Sequence, residues 1–156
     1  MSHITEVKMK IRDLDALREA AEALGLVFME GQKTHEWYGT FVGDSREGRD
    51  FARDRGVASM GKCEHALRLK DHKNGDYEIG IVPALDGDGY SLAYDSWGTH
   101  GARLHAAAGD NLNTLRREYS VSVATREARK RLGRDGWRVQ RQDLDNGKVR
   151  LRLRRR

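Results

Sequence analysis

The sequence predicts an α+β fold: an antiparallel sheet with two helices packed on one face and a C-terminal β-hairpin. Three observations carry that prediction. Short runs of alternating apolar and polar residues recur between clusters of Gly, Asn and Asp. Two stretches place apolar residues at helical spacing. Near the C-terminus, Asp145-Asn146-Gly147 stands between two further alternating runs. At 156 residues and 17.7 kDa the chain is the size of one compact domain, and residues 1–156 are read as such.

Val7, Met9 and Ile11 alternate with Glu6, Lys8, Lys10 and Arg12, which gives a first strand with one buried face. Asp13 then caps a helix in which Leu14, Leu17, Ala20, Ala21 and Leu24 form a stripe, and Gly25 takes the left-handed position past its end. Leu26 to Glu30 reads as the second strand and Trp37 to Val42 as a third. From Gly43 to Lys62 the chain is charged, punctuated by glycine and poor in core candidates, so it reads as a long loop held by Phe51, Val57 and Met60. Ala66–Lys70, Tyr77–Val82 and Tyr90–Tyr94 form an antiparallel meander, joined by the turn residues Asn74-Gly75-Asp76 and Asp86-Gly87-Asp88-Gly89. Pro83 sits just past the middle strand, where a missing amide donor is harmless. After Asp95-Ser96-Trp97-Gly98, one long helical region runs to about Gly133, striped by Leu112, Leu115, Tyr119, Ala124, Ala128 and Leu132. Trp137–Gln142 and Lys148–Arg154 then pair around Asp145-Asn146-Gly147, and this hairpin completes or extends the sheet.

Charge is divided unevenly along the chain. Leu112 to Arg156 holds 15 Lys and Arg against 5 Asp and Glu, whereas the residues before it hold 14 against 19. With Val149, Leu151 and Leu153 packed inward, pleating puts Lys148, Arg150, Arg152 and Arg154 on the opposite face, joined by Arg138 from the paired strand. Arg116 and Arg117 of the long helix merge with them into one cationic surface. Such a row suits nucleic acid or an acidic protein surface; the structural alternative is an edge strand blunted by charge against aggregation.

A second cluster is Asp95 with Trp97, a carboxylate beside an indole at a strand end, with His3 brought near by the first strand. This suits a small ligand. The structural alternative has Asp95 capping the turn and Trp97 covering the edge of the core. The six histidines show no i, i+4 pair, Cys63 and His65 lack clear partners, and Asp86-Gly87-Asp88-Gly89 departs from a calcium loop at Tyr90. No nucleophile elbow, Walker-type loop or dinucleotide fingerprint occurs, so no catalytic residue, metal or cofactor is assigned. No apolar run approaches the ~20 residues that span a bilayer, no secretory h-region is present, and the single cysteine forms no internal disulfide. The expectation is a cytoplasmic protein with no membrane partner.

The opening Met1-Ser-His-Ile-Thr-Glu-Val7, the helix end Leu24-Gly25-Leu26, and Tyr94-Asp95 with Trp97-Gly98 stand in a recognisable order. Leu115, Tyr119, Ala124, Ala128, Gly136-Trp137 and the closing Leu144-Asp-Asn-Gly-Lys-Val-Arg-Leu151 continue it. In these motifs the chain resembles a small hypothetical-protein family encoded by plastids, cyanobacteria, other bacteria and many bacteriophages, catalogued as a domain of unknown function. Relative to that family the Gly43–Lys62 stretch reads as an insertion. The resemblance implies a non-catalytic protein–protein adaptor or modulator, phage-encoded and acting on a host or phage machine in the host cytoplasm, with a AAA-type ATPase as partner. The charge pattern supplies the alternative, a nucleic-acid-binding accessory protein. The cluster of His3, Asp95 and Trp97 supplies a third, a small-ligand or enzyme site.

Overall fold

A computed structural model of the chain describes residues 4–132 and 136–155. In chain order it contains β1 (Ile4–Ile11), α1 (Leu14–Ala23), β2 (Leu26–Met29), α2 (Arg46–Arg55), β3 (His65–Leu69), β4 (Ile79–Pro83) and β5 (Tyr90–Asp95). These are followed by α3 (Gly98–Ala108), α4 (Asn113–Leu132), β6 (Trp137–Asp143) and β7 (Val149–Arg155). The fold class is the α+β class that the sequence predicts. Five strands form one antiparallel sheet in the order β1-β5-β4-β3-β2, with the expected meander β3-β4-β5 at its centre. Among the described residues, no helix is long and apolar enough to cross a membrane.

Strand alternation sorts the core into two layers. On one face Val7, Ile11, Leu67, Ile79, Ile81, Leu92 and Tyr94 meet α1, α3 and α4 through Leu17, Ala20, Leu104, Leu112 and Leu115. The Asp13 carboxylate caps α1 as expected, accepting from Ala16 N at 2.9 Å. Arg126 of α4 then joins the two helices through Asp13, Asp15 and Glu19 at 2.7–3.2 Å.

The opposite face is also covered, and here the structure corrects the sequence. The stretch Gly43–Lys62, read above as a loop, contains α2, whose Ser45 Oγ accepts from Gly48 N at 3.0 Å. Glu47 stands in its first turn and Arg53 and Arg55 in its last, which suits the helix dipole. Its Phe51, together with Met60 and Cys63, packs on Ile4, Ala66, Val82 and Ala93, while Val57 stays exposed. Arg55 anchors the helix to β1 by a nearly buried bidentate pair with Glu6 (2.7 and 3.1 Å). The Trp37–Val42 patch is not a strand: Trp37 and Phe41 pack in this second layer, and an isolated bridge nearby joins Thr34 to Lys62.

The long helical region is likewise two helices. Between α3 and α4 the chain turns through Gly109 (φ 83°), Asn111 (φ 49°) and Leu112 (φ 53°), although Leu112 remains in the core stripe that suggested continuity. A methyl group on Gly109 would press on Thr114 N at 2.9 Å as well as on Asn113 Oδ1. Gly109→Ala is therefore expected to lower stability by about 1–3 kcal/mol, read as a shift in the urea midpoint.

The hairpin neither completes nor extends the main sheet. β6 and β7 form a separate two-stranded sheet that lies against α4. Apolar residues on one face only suit it to covering a helix, and its other face is all polar.

Candidate nucleic-acid interface

The Asp145-Asn146-Gly147 turn sets the hairpin register. Asn146 Oδ1 accepts from Lys148 N (3.1 Å), and Leu144 N donates to Lys148 O (2.9 Å). Seven cross-strand pairs follow, from Asp143↔Val149 to Trp137↔Arg155. Because side chains alternate, Val139, Arg141, Val149 and Leu151 share the face toward α4. The other face carries Arg138 opposite Arg154, Gln140 opposite Arg152, and Gln142 opposite Arg150. Lys148 continues that parity one residue before β7. All of these outward residues are exposed. Among the described residues, none of the six strand side chains has an ion-pair or hydrogen-bond partner.

The ribbon is held from behind by a buried charge. Glu118 of α4 is 5% exposed, and its carboxylate accepts both arms of Arg141 at 2.6 and 2.8 Å. Arg141 also reaches Asp143 at 2.8 Å. The hydrogen bonds from Arg141 hold the Glu118 carboxyl below its ordinary value against the opposing effect of burial. At the turn end, Arg117 donates to Gly147 O at 3.2 Å.

These contacts separate the residues that the sequence grouped. Arg138, Lys148, Arg150, Arg152 and Arg154 do share one face. Arg117 is spent on the hairpin turn and on Glu118. Arg116 lies about 200° around α4 from Glu118, on the side away from the ribbon. Sequence reasoning missed Gln140 and Gln142, which the same alternation places among the arginines, and Arg141, whose partner 23 residues earlier has no local signal.

The second predicted cluster is built differently. Asp95 is completely buried, and its carboxylate ties two segments together: Oδ2 accepts from Tyr38 N (3.1 Å) and Oδ1 from Trp97 N (3.0 Å). Trp97 is 37% exposed and meets Tyr38 edge to face at 6.1 Å. His3 lies outside the described residues.

His65, Cys63, Asp86 and Asp88 are engaged in the fold. His65 Nδ1 accepts from Gly31 N (2.9 Å), and Cys63 Sγ donates to Gln32 O (3.2 Å). Burial pushes the Cys63 thiol up to about 11, away from the thiolate that metal binding or nucleophilic attack requires. Asp86 and Asp88 of the β4–β5 turn pair with Lys10 and Arg12 at the end of β1, and Arg12, then Lys10, holds the Asp88 carboxyl well below the usual range. Among the described residues no three His, Cys, Asp or Glu converge as metal ligands. No family model matches the chain, and no curated protein or solved structure matches it either.

Proposed function

We propose that this chain is a non-catalytic nucleic-acid-binding protein whose C-terminal hairpin meets the phosphate backbone. The observation that carries the reading is the register. It brings Arg138 and Arg154 side by side and lines Arg150 and Arg152 behind them, on an exposed face with no carboxylate among its described residues. Residues two apart on a strand repeat every ~6.7 Å, so the arginines form a regular cationic row suited to a repeating polyanion. The adaptor reading, with an acidic protein surface or a AAA-type ATPase as partner, draws on the family resemblance. The spacing of the row favours nucleic acid, because a regular array answers a regular one.

Binding to mixed-sequence nucleic acid across a salt series tests this directly. With four arginines engaged, log affinity is expected to fall linearly with log salt, with a slope of about −3 to −4. Arg150→Glu with Arg152→Glu is expected to weaken binding at least about tenfold at low salt and to flatten the slope by about two. Absence of binding at low salt overturns the proposal. Retention of an acidic protein after nuclease treatment would then favour the adaptor.

A further inference from the structure

We infer that the hairpin's outer face is fitted to the major groove of B-form duplex DNA, with Gln140 and Gln142 reading base edges; the inference rests on the nucleic-acid reading above. Shape is the first argument. The hairpin is a two-stranded ribbon separate from the main sheet, seven residues per strand, roughly 23 Å long with backbones ~4.8 Å apart. The B-form major groove, about 12 Å wide and 8.5 Å deep, admits such a ribbon. The A-form major groove of duplex RNA is too deep and narrow for side chains to reach its base edges.

Residue type is the second argument. The outer row of β6 reads Arg138, Gln140, Gln142, and the outer row of β7 reads Arg154, Arg152, Arg150, so each glutamine stands beside an arginine. A glutamine amide matches N6 and N7 of adenine, and an arginine fork matches O6 and N7 of guanine or a phosphate. Neither amide is engaged within the protein among the described residues, so both are available to a base edge. In the pairs Gln140/Arg152 and Gln142/Arg150, one strand therefore offers neutral readers while the other offers cations.

The third argument separates duplex from single strand. Single-stranded nucleic acid is held on aromatic platforms against which bases stack. Among the described residues the outer face offers no aromatic side chain: Trp137 has the parity of Val139 and Arg141, the residues turned toward α4. The rigid backing by Arg141–Glu118 further suits a preformed groove over a pliable strand.

The test compares mixed-sequence duplex DNA, duplex RNA of the same sequence and single-stranded DNA, followed by selection from a randomised duplex library. Duplex DNA is expected to bind at least about tenfold tighter than either competitor. Gln140→Ala with Gln142→Ala is expected to leave the salt slope and the urea midpoint unchanged, the midpoint showing that the variant is folded, while removing about tenfold of discrimination at each base read. Equal or tighter binding to RNA or single strands overturns this inference and leaves the phosphate-binding proposal standing. An unchanged sequence preference in the glutamine variant overturns the base-reading role. No binding to any of the three at low salt overturns both.

Discussion

Asp95→Ala is expected to lower folding stability by about 3 kcal/mol, more than a hundredfold in the ratio of folded to unfolded chains. The side chain has no solvent exposure, and its two oxygens accept from Tyr38 N and Trp97 N. Removing it strands two backbone donors that belong to different layers of the molecule. One lies on the segment crossing the second face of the sheet; the other is at the entry to α3. A backbone N–H left in the interior without an acceptor costs about 1–3 kcal/mol, and relief of the buried charge offsets part of the sum. Asp95→Asn keeps one acceptor oxygen and is expected to lose about half as much. Urea denaturation of the two variants measures this. A ligand-binding carboxylate would leave the unliganded protein as stable as before, so a loss below about 0.5 kcal/mol in Asp95→Ala would remove the structural role argued here.

Local signals account for what was legible in the sequence. The Asp13 cap and the stripe through Leu17 and Ala20 mark α1, and the turn chemistry at Asn74-Gly75 and Asp145-Asn146-Gly147 fixes the meander and the hairpin register. From that register, the shared face of Arg138 and Arg154 follows by counting. α2 was illegible as a helix because its ten residues offer only Phe51 as a large apolar side chain. Its helical signals are instead the Ser45 cap, acid-to-base polarity, and the spacing of Asp50 from Arg46 and Arg53. The break at Gly109 was hidden by Leu112, which keeps the apolar period while adopting a left-handed backbone that favours glycine.

Tertiary pairing decided the remainder. No spacing rule connects Glu118 to Arg141, yet that pair seats the ribbon on α4 and withdraws Arg141 from the outward face. The same holds for Arg126 of α4, which the fold spends on Asp13, Asp15 and Glu19. A count of basic residues therefore overstates the interface. Five of the seven predicted cations share a face, and the two on α4 do not. The arginines of the ribbon's exposed row have no acidic partner among the described residues, whereas most acidic residues of the first two-thirds are already answered by cations within the fold.

Stability is expected to fall by about 2–3 kcal/mol between about pH 7 and about pH 4.5, most of it through His35. This imidazole is 4% exposed, its Nδ1 has no hydrogen-bond partner among the described residues, and its backbone N–H donates to Gly61 O at 2.8 Å. Its ring lies so close to β4 that a Cβ on Gly80 would stand 2.9 Å from Nε2. Burial lowers its pKa from 6.5 to about 4, outweighing backbone groups of Glu36 and Glu78 that favour the charged form. The sign follows from the two states. Below pH 6.5 the unfolded chain takes up a proton that the native state refuses until about pH 4, so stability is complete above pH 6.5 and drains away as the pH falls. Glu118 and Asp143, whose carboxyls are held low by Arg141, add their losses at more acid pH, as they fall through their own depressed values. His35→Phe retains a ring against Gly80 without a proton to bind, and His35→Leu provides a smaller apolar control. Both are expected to show a flatter dependence of the urea midpoint on pH, whatever their stability at neutrality. Parallel curves for the wild type and both variants would mean that the fold does not hold this imidazole neutral. A flattened curve would place the acid sensitivity at the point where the His35 ring is wedged onto β4 at Gly80.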